Sequence, residues 1–381
     1  MTSQVPVGVF RKTILPLSET FIQAQAQAMV RFRPHYFGLA PAAKSLVDPA
    51  ASTLLSGKIS PLTRARGLFF SATGIAPRYL KSVRDLDLTL IHAHFAPDGA
   101  VAQHLTSALK IPLIVTLHGY DVTTHDRDLK RSLAGRIYLS QRPRLWKKTA
   151  LFLCVSNFIR QQALAAGFPE HKLRVQYIGV DRTIFQPFPQ SGEKLVLFVG
   201  RLVPKKGCIH LLRAMQAVQP QEPTARLVVI GDGPLRQSLQ RSAVELNVRC
   251  EFLGAQPATA VLEWMRRARL LCMPSITAPD GDSEGLGMVM LEAQAIGRPI
   301  VGFRTGGIPE AIHEGVTGLL ATTGDERELA AHLMRMLSEE ALWNSASAAA
   351  MDWVKERFDL ANRTRELEEI YSGILASASQ S

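Results

Sequence analysis

Leu195-Val196-Leu197-Phe198-Val199-Gly200-Arg201-Leu202-Val203-Pro204-Lys205-Lys206-Gly207 runs five apolar residues into a glycine, a cation, a turn and two lysines. A run that short and apolar, bounded by turn residues, reads as a strand buried on both faces of a parallel sheet. Pro204 and Gly207 then read as a rigid turn that delivers a helix. The same alternation extends outward in both directions. Strands are expected at 5–10, 88–92, 113–117, 151–155 and 175–178, and a second series at 195–199, 227–230, 251–253, 270–273 and 299–303. Helical patterns lie between them, which points to parallel α/β architecture in two doubly wound, Rossmann-like halves. Residues 185–192 are rich in proline and polar residues and read as a linker. The expected domains are 1–185 and 193–355, followed by a helical segment, 356–381.

The 381 residues are enough for two cores. Apolar residues make up 46% and charged residues 20%, as in a soluble globular chain rather than a membrane-spanning one. The N-terminus lacks a signal-peptide pattern. Cys154, Cys208, Cys250 and Cys272 are far apart and form no C-x-x-C, so buried thiols in a reducing cytoplasm are expected, with no structural metal. Charge is uneven. Residues 1–190 hold 24 Lys/Arg against 10 Asp/Glu, and 191–381 hold 20 against 23. Such asymmetry marks a surface for an anionic partner. No RNP motif, zinc finger or clear helix-turn-helix is present, so an anionic lipid surface is expected and nucleic acid is not.

Two acid-free segments carry the basic excess. One, 129–148, holds Lys130, Arg131, Arg136, Arg142, Arg144, Lys147 and Lys148 interleaved with apolar residues; Pro143 is expected to break it as a helix. The other, 57–84, holds Lys58, Arg64, Arg66, Arg78, Lys81 and Arg84 around Leu68-Phe69-Phe70. Basic amphipathic segments lie at lipid surfaces; each is also readable as a solvated face over its own sheet.

The candidate site residues cluster after the strands of the second half. Glu284-Gly285-Leu286-Gly287-Met288-Val289-Met290-Leu291-Glu292 places two carboxylates around a glycine-broken turn and an apolar helix start. A carboxylate in such a helix needs a partner or a shifted pKa. The two are separated by roughly 12 Å along a fully helical path, a reach suited to two parts of one polyhydroxylated ligand. Arg201 and Lys206 suit a diphosphate. Gly231-Asp232-Gly233-Pro234 and Thr305-Gly306-Gly307-Ile308-Pro309-Glu310 also follow strands, and His118 follows 113–117. Ligands of open α/β sheets bind at that end.

The E-x7-E segment, G-R-L-x-x-x-K-G, G-x-G-P and H-G-x-D together resemble the retaining glycosyltransferases of family 4, whose two Rossmann-like domains face each other across a cleft (the GT-B fold), with the last helix crossing back to the first domain. The resemblance implies a hexosyl transfer from a nucleoside diphosphate sugar, UDP- or GDP-linked, to a lipid-linked or oligosaccharide acceptor, with no cofactor and no metal. It implies that Arg201 and Lys206 hold the diphosphate, Glu292 the ribose and Glu284 the sugar hydroxyls. Gly231, Gly233, Gly285, Leu286, Gly287, Gly306 and Gly307 would line the donor, and His118 would bond the sugar beside the reacting carbon. Glu310 is either a helix-start charge or a ligand contact. On the acceptor side it implies Ser18, Glu19, Thr20, His94 and Asp121, the last either contacting the acceptor or orienting His118. His92 and His94 form an H-x-H strand end with no third metal ligand evident.

The loop after the first strand lacks the family's usual Gly-Gly. Ser18-Glu19-Thr20-Phe21 instead resembles a subgroup associated with bacterial exopolysaccharide assembly, including colanic-acid-type transferases, with Ser18 expected as an N-cap. A cytoplasmic protein peripheral to the inner face of the plasma membrane is the implied location. An epimerase, a phosphorylase or a non-catalytic nucleotide-sugar binder remain the rival readings.

Overall fold

The structure, a computed structural model, describes residues 4–16, 18–188 and 193–379. It divides into two compact units, one of Met1–Gly179 with Leu360–Ser381 and one of Val180–Asp359. The chain enters and leaves the second unit side by side: Val180 N–H donates to the Phe358 carbonyl at 2.7 Å, and Val180 bridges Asp359. The unit boundaries therefore fall earlier than 185/193 and later than 355/356. Residues 189–192 of the expected linker lie outside the described residues. Phe188, just before them, lies under the Arg266 guanidinium of the second unit.

The first unit carries strands β1 (Val5–Ile14), β2 (Phe32–Pro41), β3 (Thr53–Leu54), β4 (Leu90–His94), β5 (Leu113–Leu117), β6 (Leu151–Cys154) and β7 (Leu173–Val175). All pairs are parallel, in the order β3-β2-β1-β4-β5-β6-β7. The second carries β8 (Leu195–Val199), β9 (Arg226–Ile230), β10 (Cys250–Gly254), β11 (Leu270–Met273), β12 (Ile300–Phe303) and β13 (Gly318–Ala321) in the order β10-β9-β8-β11-β12-β13, again all parallel. Both orders reverse direction once, between β1 and β4 and between β8 and β11. These reversals are where ligands bind in doubly wound sheets.

Three strands escape sequence reading. β2 contains Pro34 and two basic residues, a poor strand signal. It survives because β3 pairs only with Phe37 and Gly38, leaving the half with Pro34 an edge, where a residue lacking N–H is tolerated. β3 and β13 are too short to show periodicity. β1 runs to Ile14 rather than Phe10, which brings Arg11 and Lys12 into the sheet.

Pro143 does not break its helix, which runs Leu133–Lys148 with Ser132 as N-cap, accepting the Gly135 N–H at 3.0 Å. Tyr138 and Leu145, buried on either side of the proline, hold both halves to one face. Ser18 is not a cap: the next helix, Thr20–Gln27, starts without a side-chain cap, and Ser18 is exposed.

The last helix, Leu360–Ser379, belongs to the first unit. Leu367, Ile370 and Tyr371 pack on Val7, Leu90, Ile114 and Leu153, one residue from each of four neighbouring strands. Glu368 accepts the N–H groups of Val30 and Arg31 at 2.8 and 2.7 Å, fixing the entry to β2. Leu367→Ala is expected to cost the first unit about 2–5 kcal/mol. Urea unfolding followed by a probe in that unit measures it.

Candidate functional site

Two charged clusters sit at the two sheet reversals. In the second unit, the loops leaving β8 and β11 are joined by paired ion bridges. Lys206 Nζ lies 2.5 Å from Glu284 Oε2, and Lys205 Nζ lies 2.9 Å from Asp282 Oδ1. The lysines come from a single 3-10 turn, Pro204–Lys206, that leads into the helix Cys208–Gln221. Lys205 thus has a carboxylate partner of its own. Burial acts to raise the pKa of Glu284, but Lys206 and Lys205 outweigh it and hold the carboxyl below its usual value.

The glycines of this region bring loop against loop. A Cβ on Gly307 would stand 1.9 Å from the Gly285 carbonyl oxygen, and the Gly307 N–H donates to the Glu284 carbonyl at 2.8 Å. Gly306, at φ +56, would place a Cβ 2.4 Å from the same Glu284 oxygen. The loop after β12 thereby fixes the backbone that carries Glu284. Gly231 and Gly233, after β9, pack against the Gly200 and Leu202 carbonyls of the loop after β8. The close approach that these glycines permit is therefore first of all between protein backbones.

Gly287, in left-handed conformation, caps the helix Met288–Ala295, and Leu286 is buried. Glu292 projects from that helix half-buried, and burial pushes its carboxyl up to about 7. Arg201 is exposed. Neither the Arg201 nor the Glu292 side chain has an ion pair among the described residues, so the structure joins Lys206 to Glu284 and leaves the other two side chains open. Glu310 lies in the first turn of Ile308–Ala311. In Asp280-Gly281-Asp282, Asp280 Oδ1 accepts the Asp282 N–H at 3.1 Å while Asp282 binds Lys205, so the pair closes a turn.

In the first unit the reversal between β1 and β4 is bridged by Arg11, which sequence reading placed in a loop. Its guanidinium donates to Glu19 at 2.8 and 2.5 Å, to Asp98, and to the His94 carbonyl at 3.3 Å. It lies 4.4 Å from the Phe95 ring centroid. The Lys12 N–H also donates to Asp98, at 2.8 Å. Glu19, expected as an acceptor-side residue, is thus an anchor for Arg11, and its pKa is raised because burial outweighs that cation. Thr20 opens the following helix, half-buried.

Phe95 has φ +72, a strained backbone for a side-chain-bearing residue and a common mark of functional sites. Its ring centroid lies 4.5 Å from that of His118. His118 Nε2 meets His94 Nδ1 at 3.0 Å, and His94 stacks on His92 at 4.4 Å. His92 bonds Tyr371 Oη and Thr116 Oγ1, both at 2.6 Å. Burial lowers the pKa of all three imidazoles, to about 3 for His92 and well below the ordinary value for the others. Asp121 accepts the N–H groups of His118, Gly119 and Ala96 at 3.1, 2.8 and 3.0 Å. It orients the His118 turn through the backbone, and burial pushes its carboxyl up to about 6.

Residues 180–353 match the family model "Glycosyl transferases group 1", and residues 18–183 match "Glycosyltransferase Family 4". The amylovoran biosynthesis glycosyltransferase AmsK of Erwinia amylovora is 30% identical over 74% of this chain and 69% of its own length. This chain belongs to glycosyltransferase family 4. A Salmonella typhimurium protein assigned to colanic acid biosynthesis, glycosyltransferase WcaL, is 29% identical over 78% of this chain and 77% of its own. Among solved structures, Anabaena HepE in complex with UDP-glucose aligns with a TM-score of 0.77 at 21% identity, covering 97% of this chain and all of that one. The likeness gives the family 4 transferase its GT-B fold.

Two pH dependences follow from the burial of these groups. The three imidazoles bind protons less readily folded than unfolded, so their contribution is complete above about pH 6.5 and is lost as pH falls. Urea midpoints of the first unit are expected to drop between pH 7 and 5. Glu292 has the opposite sign: its raised pKa makes the folded state lose stability as pH rises from 4.5 through about 7. Glu292→Gln is expected to stabilise the second unit by roughly 1–3 kcal/mol above pH 7 and to change nothing at pH 4. Thermal melts at both pH values check this.

Proposed function

We propose that this transferase moves a hexose from a nucleoside diphosphate sugar, with retention at the anomeric carbon, to a glycan or lipid-linked glycan acceptor of bacterial polysaccharide synthesis. The observation that carries the reading is the Lys206–Glu284 pair at the β8/β11 reversal. A cation and a carboxylate already in contact can part around a donor, Lys206 turning to the diphosphate and Glu284 to the sugar hydroxyls. Arg201, with its guanidinium open to solvent, joins Lys206 on the phosphates, where charge builds as the bond to the sugar breaks. Glu292 accepts from the ribose. Backbone groups at Gly231, Gly233, Gly285, Leu286, Gly287, Gly306 and Gly307 complete the donor site. His118, kept neutral, bonds the sugar, with His94 and Asp121 setting its orientation. Ser18 and Thr20 belong to the acceptor side, with Glu19 between them holding Arg11 in place. The donor base is uracil or guanine; HepE's UDP-glucose complex favours uracil.

AmsK and WcaL, named for amylovoran and colanic acid biosynthesis, favour polysaccharide assembly over a phosphorylase or epimerase activity. The basic segments favour work at the inner face of the plasma membrane. Among the described residues no helix is long and apolar enough to cross a membrane. Arg142 is neutralised by two hydrogen bonds to Asp126, and Arg127 and Arg131 share Asp128. Lys58, Arg64, Arg66, Arg136 and Arg144 are exposed and have no ion pair among the described residues. They are the groups assigned to anionic lipid.

A screen of UDP-, GDP- and ADP-sugars is expected to find one that raises the melting temperature of the protein. Lys206→Ala and Glu284→Ala should each lower kcat/KM for that donor by at least a hundredfold. Failure of every nucleotide sugar in the screen to stabilise the protein overturns the donor site proposed at the β8/β11 reversal. Donor binding without glycosyl transfer to any acceptor identifies the non-catalytic rival.

A further inference from the structure

Donor binding as proposed above parts Lys206 from Glu284, and the half-buried carboxylate then needs another hold. The residue beside Lys206 supplies one. Lys205 grips the loop between β11 and Glu284 at both of its limbs. On the entry limb its backbone carbonyl accepts the Ile276 N–H at 2.8 Å. On the exit limb its ammonium donates to Asp282 Oδ1 at 2.9 Å. Between those points the loop is closed on itself. The Ala278 N–H donates to the Asp282 carbonyl at 2.9 Å and the Gly281 N–H to the Ala278 carbonyl at 2.8 Å. Ser283, buried between Asp282 and Glu284, turns inward and bonds Thr277 Oγ1 at 3.0 Å.

The turn that carries the lysines is itself fixed. Gly207, at φ +61, would place a Cβ 1.8 Å from the Pro274 carbonyl oxygen, so this turn lies directly against the chain leaving β11. Three residues complete one 3-10 turn, so neighbouring side chains diverge by about 120°. That divergence lets adjacent lysines reach carboxylates two residues apart. The Lys205 and Asp282 side chains are only 21% and 23% exposed, unlike the solvated surface pairs that contribute little. The charged groups acting around the Glu284 carboxyl are Lys206, Lys205 and Asp282. Burial works against the charge on Glu284, and Lys206, then Lys205, keep it ionised. With Lys206 turned away, Lys205 is the cation that remains.

We propose that Lys205 is a positioning residue for the donor: it clasps both limbs of the loop 276–282 and holds Glu284 in place while Lys206 is engaged by the diphosphate. This rests on the transferase reading above and deepens its donor site. The two neighbouring lysines divide the work. Lys206 makes a contact that a ligand exchanges, and Lys205 makes one that stays. Lys205 therefore acts on the sugar end of the donor, through Glu284, and not on the phosphates. An ion pair that served stability alone would lower the melting temperature and leave discrimination between donor and nucleotide unchanged.

The full-length protein is titrated calorimetrically with the nucleotide sugar that stabilises it and with the parent nucleoside diphosphate, across a range of pH. Lys205→Met is expected to weaken the nucleotide sugar about tenfold or more and the nucleoside diphosphate less than about threefold. The acid limb of nucleotide-sugar affinity should move to higher pH, because Glu284 has lost a cation. Lys205→Arg should restore both properties. Asp282→Asn should reproduce the loss of affinity, and the double variant with Lys205→Met should bind no worse than the weaker single, as for two ends of one contact. Hydrogen exchange without donor supplies an independent arm. Peptides covering 276–286 should exchange about tenfold faster in Lys206→Met/Lys205→Met than in Lys206→Met. Equal weakening of both ligands makes Lys205 a phosphate ligand and overturns the proposal. Unaltered nucleotide-sugar affinity in Lys205→Met, or in Asp282→Asn should the first variant not fold, overturns it too, as does unchanged exchange in the double variant. If the wild type binds no nucleotide sugar, the donor-site reading falls instead, and the exchange arm alone decides whether Lys205 clasps the loop.

Discussion

A parallel sheet that winds both ways must leave one gap where successive crossovers part to opposite faces, and polar chain ends accumulate at that gap. Both units obey this constraint. Between β8 and β11 the gap is spanned by Lys206 with Glu284 and Lys205 with Asp282. Between β1 and β4 it is spanned by Arg11 with Glu19 and Asp98. In neither place is the charge an ornament of the surface. Each pair ties together segments that leave neighbouring strands, and each is shielded enough that removing one member strands the other.

The two bridges differ in what they leave available. Arg11 is fully engaged: two carboxylates, a carbonyl and an aromatic face surround it. It sets the geometry of His94 and the strained Phe95, and through them the surroundings of His118. Lys206 and Glu284 hold chiefly one another, and a ligand with matching charge can replace either partner. Neutral imidazoles in the first unit and a carboxyl poised near neutrality at Glu292 extend the contrast. Burial sets the protonation state of each before any substrate arrives.

Much of the second unit's strand-and-loop arrangement was legible because its signals are local. An apolar run followed by glycine and a charged residue says both where a strand ends and what stands there, as at Val199-Gly200-Arg201. The first unit was less legible. β2 hides behind Pro34, and the true length of β1 depends on pairing with β2 out to Ile14 and Pro41. With β1 read as ending at Phe10, Arg11 looked like a loop cation and Ser18 like a cap. Asp98 carried no signal at all, since one acid in a helix's first turn is ordinary. The acid-free span 129–148 looked uniformly free because Asp126 and Asp128, its neutralising partners, lie just outside it.

Sequence by itself determined the parallel α/β class, the doubling of the sheet and which charged residues and glycines follow the strands of the second unit. Strand periodicity and turn chemistry are properties of neighbouring residues and need no partner to be read. Tertiary structure alone decided which charges meet, which glycines serve backbone against backbone and where the last helix lies. These depend on residues tens to hundreds of positions apart, such as Glu368 on Val30 and Arg31. Only the folded chain brings such residues within the few ångströms over which packing and hydrogen bonding act.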